Sequence, residues 1–235
     1  MIGLIIELLV SWLLLRLTVK KNLSVLGFTP SRDRISQWLI SLLLAAGCCI
    51  LYQVMATSSA GNGWMMNTRW TWASLLPGLW WVVSSVLFEE LIFRGALLYI
   101  AIEKTGIKKA CFLSAAAFGI YHWFSYNIFN NPVQMAIVFV ITAIFGYMLA
   151  YAFAVTKSLY LPVGLHLGWN FFNIIVFSNG PLGNQILIKA NENKPEGILS
   201  LVIFLFQILG LPLLVFWYLR YLKLKDDAHH KKSAE

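Results

Sequence analysis

Long apolar runs, separated by short polar stretches, dominate the pattern of hydrophobic and polar positions along the chain. Seven runs cover approximately residues 2–18, 36–57, 72–102, 109–125, 132–155, 159–179 and 197–221. A helix of about 20 apolar residues spans a bilayer, whereas membrane β-strands would show short alternating segments. Because backbone polar groups in lipid must bond within the chain, the pattern predicts an all-α membrane protein. We expect a polytopic bundle of about seven or eight transmembrane helices that encloses a polar intramembrane site.

The third run, residues 72–102, is too long for one simple crossing. As a helix it would measure about 45 Å, against a hydrocarbon core of about 30 Å. It is therefore expected to protrude, tilt or break near Pro77, and an eighth short helix could result. No internal boundary is visible, so residues 1–222 are predicted to form a single transmembrane domain, followed by a charged cytoplasmic tail at residues 223–235.

Composition and charge agree with a membrane location. Of the 235 residues, 59% are hydrophobic and 12% are charged, whereas a soluble domain carries about 25% charged residues. The formal net charge is +8, and the basic side chains lie mostly between apolar runs. This placement favours contact with an anionic lipid bilayer over binding of nucleic acid.

The distribution of Lys and Arg also predicts the orientation in the cell membrane. With the N-terminus outside and the C-terminus in the cytoplasm, the outer loops carry only Arg69, Lys189 and Lys194. Thirteen basic residues then lie on the cytoplasmic side: Lys20, Lys21, Arg32, Arg34, Lys104, Lys108, Lys109, Lys157, Arg220, Lys223, Lys225, Lys231 and Lys232. Short cytoplasmic loops of membrane proteins are enriched in Lys and Arg, so the bias supports this orientation.

Three charged residues, Glu89, Glu90 and Arg94, lie deep in the third run. Each charge at the centre of a membrane helix costs about 2.5–3.5 kcal/mol on insertion scales, so such residues mark functional sites by default. Glu90 and Arg94 are four residues apart, share a helical face and can form an ion pair. Glu89 points about 100° away from Glu90 and has no obvious partner on its own helix. A carboxylate in that position is suited to act as a general base.

Two further runs each place a pair of polar or aromatic side chains four residues apart on one helical face. The fourth run contains Phe118 and His122, and the sixth contains His166 and Asn170. At 1.5 Å per residue, Glu89, His122 and His166 lie about 20, 21 and 12 Å from the cytoplasmic ends of their runs. These groups are therefore expected to meet in one layer that is reachable from the cytoplasmic side.

The three motifs together resemble those of the CAAX-protease and bacteriocin-processing family, also called CPBP or Abi. Glu89, Glu90 and Arg94 match its Glu-Glu-x-x-x-Arg signature, Phe118 and His122 match Phe-x-x-x-His, and His166 and Asn170 match His-x-x-x-Asn/Asp. The resemblance covers roughly residues 75–180.

The resemblance implies an intramembrane endopeptidase that hydrolyses a peptide bond in a membrane-associated protein or peptide. It implies that Glu89 activates the water, that Glu90 and Arg94 hold the site together, and that His122 positions the water or a metal. His166 and Asn170 would stabilise the oxyanion. Nothing in the sequence indicates a prenylated CAAX protein as the substrate, and the sequence leaves the oligomeric state open.

The chemistry of this residue set leaves a metal as an open alternative. A divalent ion such as zinc would be held by Glu89, His122 and His166, since three protein ligands and a water are typical of catalytic zinc. The same residues could also work without a metal, and the chain has no His-Glu-x-x-His motif. Two other functions remain possible: a proton-coupled transporter, because intramembrane Glu and His are typical of proton relays, and a non-catalytic bacteriocin-immunity or regulatory membrane protein.

Overall fold

The computed structural model describes residues 2–232 as a bundle of α-helices. The helices are α1 (Ile2–Val19), α2 (Arg32–Ser58), α3 (Trp72–Arg94), α4 (Ala96–Thr105), α5 (Ile107–Ser125), α6 (Pro132–Thr156), α7 (Tyr160–Asn170) and α8 (Gly197–Lys232). A 3₁₀ turn follows α1 at Leu23–Leu26, and one π-helical segment, Phe171–Val176, continues α7. Each apolar run thus forms helix, and the all-α membrane class is confirmed.

Side-chain caps mark where several of these helices begin. The Ser74 backbone N–H donates to Thr71 Oγ1 at 3.2 Å, and the Thr71 N–H donates to Ser74 Oγ at 2.9 Å, so α3 begins with a capping box. Asn131 caps α6 by accepting the Gln134 N–H, and Pro132 occupies the first turn, where its missing N–H costs nothing.

Four helices are long and apolar enough to cross a membrane, judged by length and composition. They are α1, α2, α6 and the Gly197–Lys225 part of α8. The chain is therefore a multi-pass membrane protein. Because α4 and α7 have only 10 and 11 residues, neither spans about 30 Å of hydrocarbon alone. The total of seven or eight crossings stays a prediction.

The break in the long third run lies at Gly95 and not near Pro77, which corrects the expected position. Pro77 lies inside α3, and membrane helices tolerate proline. Gly95 separates α3 from α4, and a Cβ added there would lie 2.1 Å from the Leu91 carbonyl oxygen. Only glycine fits this backbone path. The short helix α4 is the additional helix that the length of the run made possible.

Close packing of α7 against α2 fixes the position of the helix that carries His166. A Cβ on Gly164 would lie 2.1 Å from Ser41 Oγ, and a Cβ on Gly168 would lie 2.3 Å from the Leu42 carbonyl oxygen. Small residues four apart allow membrane helices to approach this closely. His166 lies between the two glycines in sequence and is 3% exposed.

A short antiparallel strand pair is the departure from a purely helical fold. Strand β1 (Trp64–Met66) pairs with β2 (Leu187–Lys189), with Met65 opposite Ile188. The pair joins the α2–α3 connection to the α7–α8 connection, at the end of the bundle away from the basic loops. Helix α8 continues through Lys232 into the predicted tail, whose residues 233–235 lie outside the described part of the chain.

Candidate active site

A buried ion pair forms the base of the site. Glu90 and Arg94 are both 0% exposed, and Arg94 Nη1 donates to Glu90 Oε1 at 3.1 Å. His166 Nδ1 lies 2.7 Å from the same Glu90 oxygen. The predicted pairing of Glu90 with Arg94 is therefore present, and it extends across the bundle to α7.

Arg94 also contacts α6 and an aromatic ring of α5. Its Nη2 donates to the Gly146 carbonyl oxygen at 3.3 Å, and its Cζ lies 4.1 Å from the centroid of the Phe118 ring, a distance at which cation–π attraction acts. A Cβ on Gly146 would lie 2.9 Å from Phe118 Cδ1 and 3.3 Å from Arg94 Nη2. Glycine at this position therefore lets the guanidinium reach the backbone of α6.

Glu89, His122, His166 and Asn170 line one cavity of about 300 Å³. The cavity has further polar walls: Ser85, Ser125, Tyr126, Thr142, Asn173, Asn179 and Gln207. The structure thus brings together four of the six residues that the motifs single out. The other two, Glu90 and Arg94, lie behind this cavity in the buried ion pair.

His122 presents one ring nitrogen to the protein and leaves the other free. Its Nδ1 lies 2.8 Å from the Phe118 carbonyl oxygen. Because a carbonyl only accepts, Nδ1 carries the proton, and Nε2 is then an acceptor in the neutral ring. The rings of Phe118, Tyr121 and Tyr126 surround the imidazole at centroid distances of 4.5, 5.4 and 5.5 Å.

His166 lies between the two neighbouring carboxylates. Its Nδ1 donates to Glu90, since a carboxylate only accepts. Its Nε2 lies 3.8 Å from Glu89 Oε2. The imidazole therefore couples the buried ion pair to the carboxylate that lines the cavity, and rings of Phe118 and Phe145 pack edge-on against it at 6.0 and 5.5 Å.

The cavity extends toward the end of the bundle that carries the strand pair. Its walls continue from Glu89 to Ser125 and Tyr126 at the end of α5, and to residues 179–181 after α7. The sequence predicts access from the end with the basic loops. The lining residues nearest the strand pair, Ser125, Tyr126 and residues 179–181, are exposed, so the cavity reaches the surface at the end opposite the basic loops.

A second cavity, of about 310 Å³, reaches Glu89 from another side. It is lined by residues of α1, α3 and α5: Gly3, Leu4, Trp81, Ser84, Ser85, Phe88, Glu89 and Tyr121. Trp81, Ser85 and Glu89 line both cavities. Glu89 therefore lies where two cavities meet.

Sequence reasoning missed a polar set beside Asn170. Asn173 accepts a hydrogen bond from Gln53 Nε2 at 2.8 Å and donates to the Asn179 carbonyl oxygen at 2.8 Å. Two signals could have found it: Asn173 continues the spacing of His166 and Asn170 by one more turn, and Gln53 is a polar residue inside an apolar run. The π-helical segment Phe171–Val176 contains Asn173, and π-turns within helices are frequent at functional sites.

The arrangement of side chains does not fit the metal alternative. Carboxylate oxygens and imidazole nitrogens are suitable donors for zinc. However, within residues 2–232 no three His, Cys, Asp or Glu side chains stand close enough together to hold an ion. Glu89, His122 and His166 share a cavity without forming such a cluster.

Comparison with known families bears directly on the three motifs. Residues 70–172 match the family model described as Type II CAAX prenyl endopeptidase Rce1-like. The resemblance to the CAAX-protease family is confirmed. The Rce1-like match contains all six predicted site residues and runs from the start of α3 into the π-helical segment. Searches of curated proteins and of solved structures gave no match.

Proposed function

We propose that the protein is an intramembrane endopeptidase that hydrolyses a peptide bond in a membrane-associated protein or peptide. The observation that carries this proposal is the position of Glu89. It lines a polar cavity together with His122, His166 and Asn170, directly beside a buried Glu90–Arg94 pair. The Rce1-like match over residues 70–172 supports the same reaction class.

Glu89 acts as the general base in this proposal. Its carboxylate takes a proton from a water, and the water oxygen adds to the carbonyl carbon of the substrate. The C–N bond then breaks, and the leaving nitrogen takes up the proton that Glu89 received. A positioned base of this kind contributes about 10²–10⁴-fold to the rate. Nε2 of His122 accepts the second hydrogen of the water and orients it.

His166 and Asn170 supply donors for the oxyanion that develops on the carbonyl oxygen. For His166 to donate from Nε2, both ring nitrogens must carry protons, because Nδ1 already donates to Glu90. The side-chain amide of Asn170 does not titrate, so its N–H groups are donors at any pH.

Glu90 and Arg94 are positioning residues and do not touch the substrate. Both are 0% exposed; Glu90 accepts a hydrogen bond from His166, and Arg94 donates one to the α6 backbone at Gly146. Residues of this kind support catalysis indirectly, because they fix the positions of the side chains that contact the substrate.

The junction of two cavities at Glu89 favours cleavage of an internal peptide bond. An extended peptide could place the bond at Glu89 and continue on either side, one part in each cavity. In addition, no Lys or Arg is among the residues that line the two cavities. A site specific for a free C-terminal carboxylate would need such a cation.

The test is a comparison of the Glu89→Gln variant with a Glu103→Gln variant in proteoliposomes. Glu103 is an exposed carboxylate at the end of α4, so its substitution serves as the matched control. The probes are fluorogenic peptides with a single lipid anchor, some farnesylated and some acylated. We expect the Glu89→Gln variant to lose about 10²–10⁴-fold in cleavage rate, and the control to keep full rate. Undiminished cleavage by Glu89→Gln would overturn the proposed role.

A further inference from the structure

The mouth of the site cavity lies at one particular end of the bundle. Ser125 is the last residue of α5 and Tyr126 directly follows it, whereas Asn179, Gly180 and Pro181 lie in the connection after α7. The strand pair β1–β2 is at this same end. The α1 N-terminus, the α2 C-terminus and the α3 N-terminus also reach it, as the alternating direction of successive helices requires.

Charge distinguishes this end from the opposite one. The connections at the mouth carry three basic residues, Arg69, Lys189 and Lys194, whereas thirteen lie at the other end of the helices. Lys and Arg accumulate in the cytoplasmic loops of membrane proteins. The mouth of the cavity is therefore on the extracytoplasmic side.

Packed side chains close the route from the basic end to Glu89. The largest core cluster lies there, where α1, α3, α4, α5 and α6 approach the basic loops. Its fully or almost fully buried members include Leu15, Leu26, Leu91, Leu98, Phe153 and Leu159. Arg94 and Phe118, on α3 and α5, are also buried, with exposed fractions of 0% and 1%. A hydrated peptide has no path through a core of this density.

A separate cavity lies nearer the basic end, and it shares Leu4 with the second cavity at Glu89. It measures about 580 Å³ and reaches Glu90, but neither Glu89 nor His122 lines it. Its remaining walls are apolar apart from Tyr160, with Leu8, Trp38 and Val163 among them. Peptide groups buried there would lack hydrogen-bond partners, which is unfavourable. It suits hydrocarbon and not a polypeptide backbone.

The second cavity at Glu89 extends toward the same end of the bundle as the first. Gly3 lies in the first turn of α1, at the same end of the bundle as the mouth, while Trp81 lies in the first half of α3 and Ser84 at its middle. Both approaches to Glu89 therefore come from the outer half of the bundle.

From these observations we propose that the site takes its substrate from the extracytoplasmic side of the membrane. The substrate class is an exported peptide, or the outer membrane-proximal segment of a membrane protein. It carries an uncharged polar stretch that can hydrogen-bond to Ser125, Tyr126 and Asn179 at the mouth. The choice of a peptide as occupant rests on the proposed function. The side of access does not, because it follows from cavity and charge alone.

Thiol labelling tests the side of access without any need for catalysis. Cys48, Cys49 and Cys111 are buried and free, so the wild-type chain provides the blank. Thr142→Cys places a thiol inside the cavity, and Ser125→Cys places one at its mouth. Val140→Cys is the matched control on the same helix, because Val140 is 45% exposed on the outer surface of the bundle, where lipid surrounds it. Thr105→Cys is the control at the basic end.

In intact cells, a charged membrane-impermeant maleimide should label the Thr142→Cys and Ser125→Cys variants. It should leave Val140→Cys and Thr105→Cys unlabelled, and inverted membrane vesicles should label Thr105→Cys. If Thr142→Cys reacts in inverted vesicles and not in intact cells, the proposed side of access is overturned.

A single-span reporter then tests the substrate class. It carries the same polar segment either outside or inside the membrane, and cleavage is followed on immunoblots with wild type and with Glu89→Gln. We expect Glu89-dependent cleavage of the outer segment only, at a rate at least tenfold above the inner one. Cleavage of the inner segment alone would refute the proposal. Outside labelling without cleavage of any reporter would instead refute the proposed function.

Discussion

Glu89 and Glu90 are neighbours in sequence, yet they occupy two different kinds of surroundings. Glu90 is 0% exposed and is bound by Arg94 and His166, whereas Glu89 is 9% exposed and borders two cavities. Successive residues of a helix point about 100° apart. One turn of α3 can therefore supply a rigid buried ion pair and an accessible carboxylate at once. Substitution of Glu90 should therefore affect mainly stability, and substitution of Glu89 should affect mainly activity.

The largest effect on stability is expected from Arg94→Met. This variant leaves the Glu90 carboxylate buried without its cation, and breaking a buried pair costs about 3–5 kcal/mol. Thermal unfolding of the purified protein in detergent, followed by size-exclusion chromatography, should show a marked fall in Tm.

The double variant Glu90→Leu/Arg94→Met is the control for that experiment. Removing both partners leaves no unpaired charge between them, so the double variant should be more stable than Arg94→Met alone. A double variant that is less stable than the single one would show that the pair does not hold this region together.

An intermediate effect is expected from Gly146→Ala. The added methyl group would lie 2.9 Å from Phe118 Cδ1 and would push Phe118 and Arg94 apart. Overpacking of this kind costs about 1–3 kcal/mol. Gly47→Ala on α2 is the matched control, since a Cβ there meets nothing within 4 Å. Equal Tm values for the two alanine variants would contradict the close contact at Gly146.

The smallest effect on stability is expected from Glu89→Gln, although its effect on cleavage should be the greatest of all. Glutamine keeps the shape of the side chain, and the contact of Glu89 with His166 Nε2 is a long one, at 3.8 Å. We expect a Tm within about 4 °C of wild type, which corresponds to about 1 kcal/mol for a protein of this size. Circular dichroism and thermal scans measure this beside the activity assay. A Tm loss equal to that of Arg94→Met would remove the distinction between the two carboxylates.

Much of the site could be predicted from sequence because spacing determines helical faces. The interval between Glu90 and Arg94 predicted their ion pair, and the interval between His166 and Asn170 predicted a shared face; both pairs are found as expected. The roles of these residues in a reaction stay predictions. Hydropathy predicted the helices in the same direct way, since the bilayer sets their length and composition.

Other features depend on backbone contacts that leave no pattern in the sequence. Arg94 binds a carbonyl oxygen of Gly146, and a backbone acceptor has no side-chain signature. Pro77 is a stronger helix breaker than Gly95 by propensity, but the clash with the Leu91 carbonyl oxygen that forces glycine at the break exists only in the folded chain. The side from which the cavity opens likewise depends on how α5, α7 and α8 end relative to one another.

The strand pair at the mouth has a consequence for the order of events on the ribosome. Met65 pairs with Ile188, and the helices α3 to α7 lie between the two strands in sequence. Strand β1 therefore has no partner until these helices and β2 have been synthesised. Asn173 and Asn179, which shape the mouth, also belong to this late part of the chain. The rim of the cavity is therefore completed only after β2 has been synthesised. A newly made chain therefore carries Glu89 in the membrane before the cavity that Glu89 lines is complete.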